Sequence, residues 1–195
     1  MHLSALLIAL ALTSGADTPP QTAYTATVLP DSPSATVQVD KQTGVHLYIP
    51  AGWHFRREGK ADQVSLFVSK EDISTHGGFL TGFSLNWNPR FSARTGLTPL
   101  QYAQSFAKEM HRTHVGTEVE ALTLRPGVDV IEVRFTDGSR MPATLLTYLA
   151  VADTPGDTLQ LAWFETPEAL RDVEGPRGQH ILSTFLQGVA SPPVP

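Results

Sequence analysis

The sequence predicts an α+β fold: one antiparallel β-sheet of about six to seven strands with helices over its faces, an α/β/α sandwich. Apolar residues alternate with polar ones over a series of short segments, which is the period-2 pattern of strands with one buried face. Short turns rich in Gly and Pro join most of these segments, and connections this short permit only antiparallel pairing. Two longer segments instead show the helical period, so the sheet and the helices are expected to bury their apolar surfaces against each other.

The stretch 44–55 is the organising element of the predicted sheet. Alternation over residues 45–49 predicts a strand. Pro50 lacks the N–H needed for a ladder hydrogen bond, so pairing should end there. Pro50 and Gly52 suit a type I turn over residues 49–52. Trp53 follows as a large apolar side chain, which we expect to be buried against the sheet and the closing helix.

The rest of the chain divides into further strands, polar connections and two helices. The same alternation predicts strands at residues 64–69, 79–87, 118–124, 128–136, 143–151 and 159–163. Residues 56–60 are charged and contain a glycine, which predicts a polar loop. Thr98, Pro99 and Gln101 form a capping box with proline in the first helical position, which predicts a helix that ends near residues 114–116.

A second helix is predicted to close the domain. Residues 166–168 show the same start signals, with Thr166 as the capping residue. Residues 175–178 have the sequence Gly-Pro-Arg-Gly, which predicts an interruption. The helix should resume over residues 179–187.

The two ends of the chain are different in composition from its middle. Residues 1–16 combine an apolar run with small residues at positions 14–16, the pattern of a cleaved signal peptide, and the run is too short for a permanent membrane span. Residues 17–35 form a leader rich in Pro, Thr and Ala. A single domain is predicted over residues 36–188, followed by a Pro-rich tail over 189–195. We therefore expect export to the periplasm or the extracellular space, with no transmembrane anchor after cleavage.

Charge and cysteine content exclude several classes of function. The net charge of −5 over 195 residues leaves no basic face for phosphates, which argues against nucleic-acid binding. The sequence has no cysteine, which excludes disulfides, thiolate metal sites, cysteine nucleophiles and a lipid-bearing cysteine anchor.

The organising stretch also carries a resemblance to a known family. Its pattern, Gly-apolar-x-apolar-x-apolar-Pro-x-Gly-Trp over residues 44–53, resembles the PsbP-like domains. These include the photosystem subunit PsbP, the envelope protein DcrB and the Ran-binding Mog protein. The order of elements from about residue 36 to 187 supports the resemblance, while the interrupted last helix and the long leader depart from it. The resemblance implies an accessory protein that assists an assembly.

Two groups of residues are candidates for chemistry. Ser84 lies in Gly-Phe-Ser-Leu-Asn, where a nucleophile elbow requires a second glycine and a strand-to-helix turn, so it is interpreted as an ordinary strand serine. His111 and His114 are spaced to face one metal ion at the end of the first helix, but no third ligand is identifiable nearby. The sequence thus predicts no catalytic residue, no metal site and no cofactor.

A candidate partner-binding patch combines arginines with aromatic residues. If the loops after Trp53 and Trp87 converge, Arg56, Arg57, Trp87 and Arg90 would form a surface suited to an anionic ligand or partner. The alternative interpretation is that these residues lie in separate solvated loops.

The resulting hypothesis is an exported, non-enzymatic accessory protein that binds another protein or an envelope component. Two alternatives stay open. One is a small-ligand carrier with a cleft between sheet and helix. The other is a hydrolase whose site is assembled from distant residues.

Overall fold

The structure is a computed structural model that describes residues 35–60 and 63–191. The predicted signal peptide and leader residues 17–34 lie outside these ranges. The strands are β1 (Thr36–Val39), β2 (His46–Ile49), β3 (His54–Lys60), β4 (Gln63–Ser69), β5 (Gly82–Asn88), β6 (Glu118–Arg125), β7 (Val128–Asp137), β8 (Thr144–Asp153) and β9 (Thr158–Pro167). The helices are α1 (Ile73–His76), α2 (Phe91–Thr95), α3 (Pro99–Thr113) and α4 (Arg171–Ala190).

One sheet of seven strands forms the centre of the fold. Its order is β3-β4-β5-β9-β8-β7-β6, and every neighbouring pair is antiparallel. The strand that comes last in the chain, β9, lies in the middle of the sheet. Helix α3 packs on one face against β7 and β8, and α4 packs on the other face together with the small β1-β2 sheet. The predicted fold class is therefore confirmed.

Each face of the sheet has its own apolar core. On the α4 side, Leu66, Phe83 and Phe185 are among the fully buried side chains. On the α3 side the core includes Ala103 and Val133. Burial of this kind contributes about 25 cal/mol per Å² of apolar surface, which is the main force holding helices to the sheet.

The start of α3 confirms the predicted capping box. The backbone N–H of Gln101 donates to the Thr98 hydroxyl at 3.2 Å, and the Thr98 N–H donates to the Gln101 side-chain oxygen at 2.9 Å. Among the described residues, no helix is both long and apolar enough to cross a bilayer.

The prediction of a polar loop over residues 56–60 is wrong, because these residues belong to strand β3. The strand pairs with β4 along its full length, from His54 opposite Ser69 to Lys60 opposite Gln63. It is an edge strand, so its backbone forms hydrogen bonds with one neighbouring strand only, and its charged side chains remain in water. A run of polar residues is therefore compatible with a strand at this position.

The predicted capping residue and interruption of the closing helix are also wrong. Thr166 is fully buried within β9, where its hydroxyl lies 3.2 Å from that of Thr81. A 3-10 turn spans Glu168–Leu170, and the α-helix follows from Arg171. The helix then continues through Pro176 without a break. Gly178 serves close packing: a Cβ at this position would lie 2.3 Å from the ring of Phe164.

The turn after β2 and the tryptophan that follows it differ in detail from the prediction. The turn spans residues 50–53, with the Trp53 N–H donating to the Pro50 carbonyl at 3.1 Å. Gly52 has a φ of 76°, the left-handed conformation that the third position of a type II turn requires. Trp53 packs against the α4-side core but is only partly buried, so its predicted burial is incomplete.

Candidate functional site

The structure does not bring the four sequence-predicted partner residues together. Arg56 and Arg57 are consecutive in β3 and therefore point to opposite faces of the sheet. Arg56 pairs with Glu58 at 2.6 Å, and Arg57 pairs with Asp40 at 2.7 Å. Trp87 lies two strands away, in β5, partly buried against the α4-side core. Arg90 lies beyond the end of β5 and precedes α2 in a left-handed conformation.

The candidate residues for chemistry lie where the sequence places them. Ser84 is in the middle of β5, fully buried, and its hydroxyl has no hydrogen-bond partner among the described residues. His111 is exposed in the last turn of α3. His114 caps that helix half-buried, with its ring stacked on Phe135 at a centroid distance of 4.0 Å. No group of three potential metal ligands occurs in the described part of the chain.

One end of the sheet carries an unusual set of exposed apolar side chains. Strands β5, β6 and β8 begin at this end, and β7 and β9 finish there. Val115 and Met141, in the loops before β6 and β8, are 99% and 96% exposed. Val173 in α4 is 59% exposed, and Leu80 and Leu170 are also exposed. These five side chains, the apolar rim, surround the same end of the sheet.

A cleft of about 610 Å³ opens between the first half of α4 and strands β6 to β8 at this end. Residues from all of these elements line it, including Glu118, Arg134, Thr147, Arg171, Asp172 and Gln179. The sheet positions the charged floor, because Glu118, Arg134 and Thr147 follow one another across β6, β7 and β8 in register.

Arg134 is the central charge of the cleft. Its guanidinium contacts Glu120 at 2.7 Å, Glu118 at 3.3 Å and Glu132 at 3.5 Å. Cross-strand pairing produces this cluster, since Glu118 and Glu120 lie opposite Arg134 and Glu132. Three carboxylates around one guanidinium leave the floor with an excess of negative charge.

A buried ion network holds the first half of α4 over the sheet. Glu174 is only 1% exposed, and its two oxygens accept hydrogen bonds from Lys70 at 2.6 Å and Arg177 at 2.8 Å. Burial by itself would raise the pKa of Glu174, but the hydrogen bonds from Lys70 and Arg177 outweigh that effect and the pKa lies below its ordinary value. Since Lys70 follows β4, this contact fixes the helix start to the sheet end.

A second carboxylate on the opposite face of the sheet behaves differently. Glu165, near the end of β9, pairs with Arg140 at 2.9 Å, and Arg140 also contacts Asp137 at 3.2 Å. Burial raises the pKa of Glu165 above its ordinary value, and the nearby Arg140 only partly offsets this. Burial likewise raises the pKa of the neighbouring Tyr148. The network orders the hairpin that presents Met141.

The comparisons with known proteins concern the fold. No protein-family model and no curated protein matches the sequence. Cyanobacterial PsbP from Synechocystis is 14% identical with a TM-score of 0.45, covering 80% of this chain and 93% of that one. The Ran-binding protein Mog1p from Saccharomyces cerevisiae is 11% identical with a TM-score of 0.47, covering 79% and 93%.

A structure from Bacteroides thetaiotaomicron is 9% identical with a TM-score of 0.46, covering 77% of this chain, which spans 47% of that longer one. PsbP and the Ran-binding Mog protein both belong to the PsbP-like group that residues 44–53 resemble. The similarity to these three structures is one of architecture.

Sequence reasoning missed the apolar rim. Val115 and Met141 stand in loops, and Val173 lies off the apolar stripe of α4. The signal that could have revealed them is an apolar residue that fits neither the alternation of a strand nor the repeat of a helix. The cleft charges carried no such signal, because Glu118 and Glu120 are ordinary residues of the edge strand β6, and only strand pairing brings Arg134 of β7 beside them.

Proposed function

We propose that this protein is an exported, non-enzymatic accessory protein that binds a protein partner at the cleft end of its sheet. The observation that carries the proposal is that the apolar rim and the charged cleft lie at the same end of the sheet. Exposed apolar side chains gathered at one end of a molecule are typical of interaction sites, whereas singly scattered ones are ordinary. A rim of this kind can supply the desolvated anchors of an interface, and the charged floor can fix its register.

The chemistry of the cleft favours a partner segment with basic and apolar side chains. Carboxylates from Glu118, Glu120 and Glu132 outnumber the guanidinium of Arg134 that they surround, while the charges of Arg171 and Asp172 offset each other. Lysine or arginine side chains of a partner would find acceptors there. Apolar side chains of the same segment would contact the rim.

The geometry supports the other two candidate functions less well. A carrier for apolar ligands needs a largely apolar pocket, whereas the floor of this cleft holds Arg134 and its carboxylates. A serine hydrolase needs an accessible hydroxyl beside a base, whereas Ser84 is fully buried between strands.

Site-specific photocrosslinking in the native envelope tests the proposed surface. A photoreactive residue at Val173 should capture a discrete partner. The matched control is Val37 in β1, which is 60% exposed against 59% for Val173 and lies away from the cleft. Equal capture from both positions, or capture from Val37 alone, would show that the cleft end is not the interface.

Export has its own test, because it rests on the pattern over residues 1–16. The mature protein recovered from outside the cytoplasm should begin at Asp17 or within a few residues of it. Recovery of a cytoplasmic protein that retains Met1 would refute export while leaving the proposed surface untouched.

A further inference from the structure

A second, smaller pocket lies at the end of the sheet opposite the apolar rim. It has a volume of about 270 Å³ and opens between the last turn of α4, the segment before β2, and strands β5, β6, β8 and β9. Its lining includes Thr43, Trp87, Arg125, Asp153, Gln160 and Val189. The volume is below that of most drug-sized ligand sites, which limits any ligand to a small molecule.

Gln160 is a buried polar residue of this pocket whose side-chain oxygen has no hydrogen-bond partner in the described residues. It lies in β9 between Trp87 of β5 and Val151 of β8, on the sheet face that α4 covers. Its side chain is only 9% exposed, and its Oε1 atom is buried without a hydrogen-bond partner among the described residues. A buried amide oxygen without a partner is destabilising, so a leucine or methionine would serve the fold better here. The amide is thus available to a ligand in the pocket.

Charges of both signs flank Gln160, and their mutual contacts are long. Arg125 Nη2 lies 3.5 Å from Asp153 Oδ2, and Arg125 Nε donates to the Val189 carbonyl at 3.4 Å. Neither contact has the short distance of a strong charge-assisted hydrogen bond. Arg125 can therefore bind a ligand anion. Asp153 can bind a ligand cation through Oδ2, since its Oδ1 already accepts the Gly156 N–H at 2.9 Å. The last carbonyls of α4, which lack intrahelical partners, add to the attraction for a cation.

The geometry points to a site for a small zwitterion of the α-amino-acid class. The guanidinium of Arg125 binds the carboxylate. Asp153 and the Oε1 atom of Gln160 accept hydrogen bonds from the ammonium group. The indole of Trp87 forms the apolar wall for the side chain of the ligand. This site is independent of the proposed protein interface, which lies at the other end of the sheet.

Calorimetric titration of the full chain with L-leucine tests the site. Two half-ligands are titrated in parallel: 4-methylpentanoate, which lacks the ammonium group, and 3-methylbutylamine, which lacks the carboxylate. We expect saturable binding of leucine, with affinity lower by about tenfold or more for each half-ligand, since each forgoes one charged contact. The Gln160→Met protein should lose affinity by a similar factor, and its unfolding temperature should be equal or higher because the unpartnered amide is gone.

Gln104→Met, at an exposed position in α3, is the matched control and should bind leucine as the original protein does. Three results would each overturn the proposal. Leucine does not bind at millimolar concentration, or a half-ligand binds as tightly as leucine, or Gln160→Met binds leucine as well as the unchanged protein does.

Discussion

The two halves of α4 differ in the kinds of side chain that they bury. Its second half buries Ile181, Leu182, Phe185 and Leu186 against the sheet, as expected of a helix that covers a core. Its first half buries a carboxylate and leaves Val173 in water. Both halves belong to one continuous helix on one sheet, so the difference reflects what each half contacts.

This contrast separates stability from recognition within one element. A helix that only covers a core exposes its polar residues and buries its apolar ones. The second half follows that rule and holds the fold together. The first half departs from it beside the cleft, where Val173 is exposed and Glu174 is buried in an ion network that fixes the position of the helix. We therefore expect changes in the second half to alter unfolding, and changes at exposed sites in the first half to alter partner binding.

The largest effect is expected from Phe185→Ala. Phe185 is fully buried and packs against Phe83 at a ring-centroid distance of 6.0 Å. Truncation should lower the free energy of unfolding by about 3–5 kcal/mol, as for other large-to-small core changes. Urea denaturation measures the difference. Val173→Ala in the first half is the control. Similar losses of unfolding free energy in both variants would contradict the claim that the two halves have different roles.

Next in size is Gly178→Ala, at the boundary between the halves. The added Cβ would overlap the ring of Phe164, so the helix must move away from the sheet at a cost of about 1–3 kcal/mol. Gly175→Ala in the same helix is the matched control, because nothing lies within 4 Å of its Cβ position. It should gain up to about 1 kcal/mol from helix propensity. Equal behaviour of the two variants in chemical denaturation would contradict the close packing at Gly178.

Glu174→Gln tests the ion network, with an expected loss of about 1–3 kcal/mol at neutral pH from two charge-assisted hydrogen bonds. Because the folded pKa of Glu174 lies below its ordinary value of 4.5, the stabilisation is complete above that pH and is lost as the pH falls through the folded pKa. The stability curves of the two proteins should therefore converge in acid. A constant gap down to low pH would exclude the network as the cause.

Glu165→Gln should have the smallest effect, with a sign opposite to that of Glu174→Gln. The folded pKa of Glu165 is raised, so its ionisation favours the unfolded chain, and stability declines as the pH rises through that pKa. The variant should match or slightly exceed the original stability at pH 7, by less than about 1 kcal/mol. Thermal unfolding across pH measures this, and a clear loss at pH 7 would mean that the ion pair with Arg140 outweighs burial.

Sequence periodicity predicted the fold class, most strands and the capping box at Thr98, because each depends on local spacing. It failed where tertiary contacts decide the role of a residue. A glycine at position 178 looks the same in the sequence whether it breaks the helix or allows the helix to pack closely against the Phe164 ring of the sheet. Residues 54–60 form a strand only because β4 pairs with them. The central place of β9 depends on long-range pairing that no local pattern encodes.

The site was less predictable than the fold for the same reason. Arg56 and Arg57 are adjacent in sequence, yet a strand sends them to opposite faces. Leu80, Val115, Met141 and Val173 are far apart in sequence and gather only because antiparallel pairing places their loops at one end of the sheet. In the sequence these four apolar residues share no pattern that would indicate a common surface.

The most direct test of the cleft end combines stability and capture in one variant, Val173→Asp with Met141→Asp. Both positions are exposed, and an aspartate in the first turn of α4 suits the helix dipole, so the free energy of unfolding should change by less than about 0.5 kcal/mol. Chemical crosslinking in the native envelope, quantified by mass spectrometry, should show the loss of a partner that the unchanged protein captures. Retention of that partner at full yield in a stably folded variant would contradict the account.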